Sequence, residues 1–90
     1  MLLPKSEHVI LSLLASAGPC YGLELVQASR GRLKRGGIYV TLGRMEDKGL
    51  VTSVAGRDHG RRRYRPTALG ERALLAARAF AGLVRLEVKA

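Results

Sequence analysis

The sequence predicts a small, mainly α-helical domain that carries one β-hairpin, and three observations support this fold class. Apolar residues recur at spacings of three and four in four segments, which is typical of amphipathic helices. Between residues 50 and 65 the spacing changes to two, which is typical of paired strands. The chain is 47% hydrophobic, which is enough to form a core. Its 90 residues have room for one core and not for two.

The first two helices are predicted from their apolar spacing and their end signals. The first follows Pro4 and Ser6, has Ser6 as its N-cap, and ends before Gly18. A short second helix fits residues 21–29 and ends before Gly31. The positions expected to face the core are Val9, Ile10, Leu13, Leu14 and Ala17 in the first helix, and Tyr21, Leu25 and Ala28 in the second.

The third helix is predicted between Gly36 and Gly49 and has two distinct faces. Ile38, Leu42 and Met45 recur at i, i+4 and i+7, as expected of a face that packs in the core. A polar and basic stripe lies about 100° away on a 3.6-residue wheel. This predicted polar stripe consists of Gly37, Thr41, Arg44 and Lys48.

Two strands and a long helix complete the chain. The strands are predicted over residues 50–54 and 61–65, joined by a glycine-containing loop of hairpin length. Pro66 ends the second strand, and Thr67 caps the last helix. That helix keeps an apolar stripe for about five turns. The stripe contains Leu69, Ala73, Ala76 or Ala77, Phe80, Leu83 or Val84, and Val88.

Positive charge is concentrated in one part of the chain. The net charge is +9, and residues 30–65 contain eleven basic residues against three acidic ones, while the rest contains five against four. A nearly neutral body with one basic segment indicates a surface for a polyanion, either nucleic acid or an anionic membrane. No run approaches the roughly 20 apolar residues of a membrane span. We therefore expect a cytoplasmic protein that does not associate with membranes.

Few residues suit metal, redox or catalytic chemistry. Cys20 is the only cysteine, and His8 and His59 are the only histidines. Their spacing matches no metal-ligand pattern, and a nucleophile beside a histidine and a carboxylate would require a chance arrangement in the fold. We expect no metal, no cofactor and no enzymatic activity. Cys20 is interpreted as a small buried residue.

The element order ααα-ββ-α is that of a winged helix-turn-helix, and several motifs resemble the PadR family of bacterial transcriptional regulators. The most specific is Gly-x-x-Tyr-x-x-Leu-x-Arg-[Leu/Met]-Glu-x-x-Gly-Leu-Val, which begins at Gly36. The runs Tyr21-Gly22-Leu23-Glu24-Leu25 and Arg62-Arg63-Tyr64-Arg65-Pro66-Thr67, with Gly70, also match. Residues 7–75 are covered, and Gly37 stands where the family usually has Thr or Ser. The resemblance implies a small, single-domain repressor that binds DNA.

The predicted DNA-binding surface combines the third helix, the residues before it and the hairpin. An α-helix fits the major groove, glycines at a helix start let backbone N–H groups approach a phosphate, and hairpin arginines suit a phosphate backbone or a narrow minor groove. The resemblance adds a phosphate contact from the Tyr39 hydroxyl. The alternatives are a solvated helix face and, for Tyr39, core packing. The candidate residues are Lys34, Arg35, Gly36, Gly37, Tyr39, Val40, Thr41, Arg44, Lys48, Arg57, His59, Arg61, Arg62 and Arg63.

The apolar stripe of the last helix is longer than so small a core covers, so we expect it to form a homodimer interface. Residues 1–66 would then form the DNA-binding domain, and residues 67–90 a dimerisation helix within the same compact unit. Two-fold pairing would suit an inverted-repeat operator in double-stranded DNA. A small-molecule effector is compatible with the resemblance but has no support in the sequence. The candidate interface residues are Leu69, Ala73, Ala76, Phe80, Leu83, Val84 and Val88.

The alternative function is a winged-helix adaptor that binds an acidic protein through its basic hairpin. An RNA-binding protein is less well supported, because it would expose aromatic residues for base stacking. The four aromatic residues of this chain lie mostly at positions expected in the core. Binding to duplex DNA therefore separates the two remaining hypotheses.

Overall fold

A computed structural model describes residues 3–56 and 61–89, with side chains as far as Gly82. The predicted order of three helices, two strands and a helix is confirmed, with one short strand added between the first two helices. The winged helix-turn-helix fold class is therefore confirmed. The elements are α1 (Lys5–Ala17), β1 (Cys20–Tyr21), α2 (Gly22–Ala28), α3 (Ile38–Asp47), β2 (Val51–Ala55), β3 (Arg62–Pro66) and α4 (Ala68–Lys89).

The added strand, β1, completes a three-stranded antiparallel sheet with the order β1-β3-β2. Cys20 pairs with Tyr64, and Tyr21 pairs with Arg63. A strand of two residues is too short to show the alternation by which strands are recognised in a sequence. Because β3 lies between the other two strands, the hairpin is attached directly to the start of α2.

The core is built from the inner faces of the helices and from the sheet. The prediction for α3 is confirmed, because Ile38, Leu42 and Met45 are all buried. In α1 the prediction is only partly correct, since Leu11 is buried while Ala17 is exposed. Each fully buried aliphatic side chain contributes about 1.5–3 kcal/mol relative to exposure. The largest fully buried side chains are Ile10, Leu11, Leu14, Leu25, Ile38, Leu42 and Met45.

The helix starts show one incorrect and one correct prediction. Ser6 was predicted to cap α1, but the helix begins at Lys5 with Pro4 as its N-cap. Proline is tolerated there because the first backbone N–H groups of a helix have no partner within it. Thr67 caps α4 as predicted, since its Oγ1 accepts a hydrogen bond from the Gly70 N–H at 3.0 Å.

Thr67 also joins α4 to the turn between α3 and β2. Its hydroxyl donates to the carbonyl oxygen of Gly49, and its backbone N–H donates to the carbonyl oxygen of Leu50 at 3.0 Å. Gly49 has a φ of +77°, a left-handed conformation that glycine adopts without strain. These bonds fix the start of α4 relative to the end of α3.

Helix α4 packs very closely on the core at Gly70. A Cβ there would stand 2.0 Å from the carbonyl oxygen of Leu50 and 3.2 Å from a methyl carbon of Leu11. Only glycine fits this contact without a shift of the helix. Leu74, one turn further on the same face, is buried. Neither α4 nor any other helix in the described part of the chain is both long and apolar enough to cross a membrane.

Candidate nucleic-acid interface

The exposed side of α3 lies opposite its core face. Val40, Gly43, Arg44 and Asp47 recur at i, i+3, i+4 and i+7 and form what we call the outer face of α3. Arg44 and Asp47 are exposed, Gly43 is half-buried, and Val40 is 58% exposed. The outer face shares only Arg44 with the predicted polar stripe. Gly37, Arg44 and Lys48 of the predicted stripe are exposed as well, so the open surface of α3 includes that stripe and extends beyond it to Val40 and Asp47.

Two residues of the predicted polar stripe are bonded within the protein. The Thr41 hydroxyl donates to the Gly37 carbonyl oxygen at 3.1 Å. The Lys48 ammonium donates to both carboxylate oxygens of Glu7, at 2.7 and 2.6 Å. Glu7 lies on α1 and is only 4% exposed, and a buried carboxylate is costly without a cation. Lys48 therefore stabilises the α1–α3 contact, and its predicted contact with DNA stays a prediction.

Tyr39 is 55% exposed, so the interpretation of this residue as part of the core is wrong. Its ring lies against the first residue of α2, where a Cβ on Gly22 would stand 2.8 Å from Tyr39 Cε1. This glycine lets α2 and α3 approach each other. The phenol lines a cleft of about 240 Å³ that also contains Tyr21 and Arg61. The Tyr39 hydroxyl is thus available at the surface.

The residues before α3 form an open, basic approach to its N-terminus. Lys34, Arg35, Gly36 and Gly37 are all exposed. Gly37 is the N-cap of α3, and a Cβ on either glycine would meet no heavy atom within 4 Å. The backbone at this helix start is therefore open to a ligand, as the predicted approach of a phosphate requires.

Arg61 and Arg63, near the loop end of the hairpin, both lie over the ring of Tyr21. Each guanidinium carbon lies 5.6 Å from the ring centroid, within the range of a cation–π interaction. Both arginines are nevertheless exposed. Tyr21 therefore orders two charged side chains without neutralising them. Sequence reasoning treated Tyr21 as a core residue of a helix, because the strand that positions it was not predicted.

Arg62 lies on the other side of the hairpin and connects it to α3. Its Nε donates to the Ser53 hydroxyl at 2.7 Å, and its Nη2 donates to the Ser53 carbonyl oxygen at 3.2 Å. The Ser53 hydroxyl in turn donates to Glu46 Oε2 at 2.9 Å. This chain of bonds runs from α3 through β2 to β3. Arg57 and His59, two further predicted DNA contacts, lie outside the described residues.

Two ionisable groups of the sheet have raised pKa values. Burial raises the pKa of the Tyr64 hydroxyl, Glu46 raises it further, and Arg62 opposes both effects. Burial likewise raises the pKa of the Cys20 thiol, Glu24 adds to the rise, and Arg63 opposes it. Both groups stay protonated near neutral pH. The thiol is then a weak nucleophile, and the interpretation of Cys20 as a buried residue is confirmed.

Helix α4 presents an apolar face away from Gly70 and Leu74. Leu69 and Phe80 are each 50% exposed, Ala76 is exposed and Ala73 is half-buried. We call Leu69, Ala76 and Phe80 the apolar face of α4. Leu75, which is not among the predicted interface residues, is also exposed, on a different side of the helix. The side chains of Leu83, Val84 and Val88 lie outside the described part of the structure.

The fold and the exposed basic surface define a winged-helix domain. A model of the Transcriptional regulator PadR-like family matches residues 10–76. The chain therefore belongs to this family of transcriptional regulators. Comparison with curated proteins found no significant match.

Solved structures of similar fold agree with this assignment. A PadR family transcription regulator from Clostridium difficile is 28% identical, with a TM-score of 0.79, over 92% of this chain and 93% of that chain. The Mycobacterium tuberculosis transcriptional regulator MOSR, solved in complex with DNA, is 27% identical, with a TM-score of 0.78, over 96% of this chain and 61% of that chain. Bacillus subtilis PadR, solved in complex with operator DNA, is 22% identical, with a TM-score of 0.69, over 80% and 45%. The chain thus spans less than two thirds of the length of several matched structures.

Proposed function

We propose that this chain binds double-stranded DNA as a homodimer and represses transcription at an inverted-repeat operator. The observation that carries the proposal is the exposed, basic surface formed by α3 and the hairpin. Arg44 is exposed on the outer face of α3. Arg61, Arg62 and Arg63 are exposed on the hairpin, which Ser53 connects to α3. Transcription regulators of the same fold, MOSR and Bacillus subtilis PadR, have been solved with DNA.

The proposed roles follow from exposure and position. Arg44 lies on a helix that fits the major groove, where a guanidinium can bond to a guanine edge. The arginines of the hairpin and the residues before α3 would contact phosphates, which set affinity and register. Lys48 would be the weakest of the proposed contacts, because the Glu7 carboxylate balances its charge. The phosphate contacts would come from Lys34, Arg35, Gly36, Gly37, Tyr39, Thr41, Arg57, His59, Arg61, Arg62 and Arg63.

The homodimer is supported by the apolar face of α4. Apolar surface that the core leaves uncovered is commonly buried by a second subunit. In this arrangement residues 1–66 form the DNA-binding domain and residues 67–90 the dimerisation helix. Two recognition helices about 34–36 Å apart would then meet successive turns of DNA. The repressor role comes from the family resemblance alone.

The test is selection of binding sites from a random duplex pool, followed by salt titration of the best site. An inverted repeat is expected among the selected sequences. If the dimer neutralises about 6–10 phosphates, log K should fall with log salt at a slope of about −5 to −9. Failure to bind any duplex at about 50 mM salt, with an acidic protein bound instead, would replace the proposal with the adaptor function.

A further inference from the structure

Gly43 stands in the middle of α3, on its outer face, and nothing in the fold requires it to be glycine. Its φ is not positive, unlike the φ of Gly18, Gly31 and Gly49. Apart from its chain neighbours and the backbone of its own helix, no heavy atom lies within 4 Å of the position that a Cβ would take. By contrast, Gly70 is enforced by a backbone oxygen 2.0 Å from the same position.

Glycine in a helix interior is unfavourable relative to alanine, because it loses more conformational freedom on folding. The packing within the described chain does not compensate for this loss at Gly43. A close approach of another molecule to the helix backbone would compensate for it, because glycine is used where a backbone and a ligand must come together. The neighbours of Gly43 on the outer face are Val40 and Arg44. The molecule that approaches Gly43 is therefore the one that binds this face.

We propose that Gly43 lets the backbone of α3 approach the base edges in the major groove more closely than any other residue would allow, and that Val40 beside it contacts the 5-methyl group of a thymine. This inference rests on the proposed function and specifies how the recognition helix determines sequence. An exposed valine has little affinity for phosphate, but its methyl groups match the one apolar group that the major groove presents.

Charge along the outer face gives the orientation of this contact. Arg44 follows Gly43 directly, whereas Asp47 lies one turn nearer the C-terminus and is exposed. A carboxylate is repelled by phosphates, so the half of the outer face that contains Val40 and Arg44 is the half turned towards the DNA. A thymine and a guanine close together in each half-site are the sequence that this half of α3 would select.

The first experiment compares Gly43→Ala with Gly82→Ala in the full chain. Gly82 is a suitable control because it also lies in a helix, in α4, with no heavy atom within 4 Å of its Cβ position. Both variants should raise the Tm by about 4–8 °C, as expected of glycine replacement in a helix of a small domain. Only Gly43→Ala should weaken binding to the selected duplex, by about tenfold or more, as expected when a methyl group is forced into a packed contact.

The second experiment tests the thymine contact. Each thymine of the selected site is replaced in turn by deoxyuridine, which removes only the methyl group, and binding is measured with the wild type and with Val40→Ala. One position per half-site should weaken wild-type binding by about threefold to tenfold, and the same replacement should have a clearly smaller effect on Val40→Ala, whose shorter side chain loses most of the contact. This non-additivity is the signature of a direct contact.

The outcomes separate this inference from the proposed function. Salt-sensitive binding of the selected duplex by wild type, together with undiminished binding by Gly43→Ala, would overturn the close approach and leave the DNA-binding function intact. Deoxyuridine effects that are absent, or equal in wild type and Val40→Ala, would overturn the thymine contact. If wild type binds no duplex, the proposed function fails and the inference fails with it. A loss of binding in Gly82→Ala equal to that in Gly43→Ala would also contradict a local role for Gly43.

Discussion

Helices α3 and α4 each bury one face in the same core, but their opposite faces differ in chemistry. The outer face of α3 presents Arg44 and a single apolar side chain, Val40, whereas the apolar face of α4 presents Leu69 and Phe80, each 50% exposed. A charged face is stable in water without a partner, but an extended apolar face is not. In the proposed dimer, α4 would need its partner for stability, whereas α3 would need one only for function.

The largest expected effect comes from placing charge on the apolar face of α4. Phe80→Asp combined with Val84→Asp should give a monomer that loses about a hundredfold or more of its affinity for the inverted repeat, because each subunit then binds only one half-site. Analytical ultracentrifugation and a binding titration measure the two effects. Leu75→Asp is the control, since Leu75 is 64% exposed on another side of α4 and should leave the dimer intact. A double variant that still sediments as a dimer would remove α4 from the interface.

A substitution in the face of α4 that packs on the core should lower the stability of the fold. Gly70→Ala forces a Cβ against the Leu50 carbonyl oxygen, and overpacking of this kind costs about 2–3 kcal/mol. Urea unfolding should show a lower midpoint with little change in slope. If the variant were as stable as wild type, α4 would not approach the core as closely as described.

On α3 and the hairpin, base contacts and phosphate contacts should separate on mutation. Arg44→Ala should cost about 1–3 kcal/mol on the selected site and relax sequence preference, if Arg44 contacts a guanine. Arg62→Ala or Arg63→Ala should weaken binding to all duplexes alike and make the salt slope less steep by about one. Competition between selected and random duplexes measures the difference. Equal losses on both duplexes for Arg44→Ala would show that Arg44 is a phosphate contact.

The smallest expected effect concerns the ion pair between α1 and α3. Lys48→Met leaves the buried Glu7 carboxylate without a cation and should destabilise the fold by about 1–2 kcal/mol, less than a fully buried pair because Lys48 is half exposed. Glu7→Gln should cost less, since the freed ammonium can be hydrated. The double variant should be no less stable than Lys48→Met alone. Strictly additive losses in thermal unfolding would show that the pair does not act as a unit.

The sequence predicted those parts of the molecule whose signals are local. The core face of α3 follows from the spacing of Ile38, Leu42 and Met45, and the cap at Thr67 follows from its place before an apolar run. The outward direction of Leu69 and Phe80 also followed from spacing, because the stripe exceeded what the core could cover.

The features that were missed depend on residues far apart in the chain. Strand β1 exists only because β3 offers it an edge, and no pattern of two residues could indicate it. The partner of Lys48 is 41 positions away, so a helical wheel shows a free cation where the fold contains an ion pair.

The hydrogen bonds of Thr67 would influence which half-site spacings the proposed dimer accepts. Because Thr67 bonds to the turn after α3 and caps α4, three hydrogen bonds set the angle between α3, the proposed recognition helix, and the proposed dimer axis. They join Thr67 to the carbonyl oxygens of Gly49 and Leu50 and to the Gly70 N–H. In the proposed dimer, the spacing between half-sites and the sequence within each half-site would then be controlled by different residues. Substitutions at this joint would alter which spacing is accepted, while substitutions on α3 would alter which bases are accepted, so that the two properties can evolve independently.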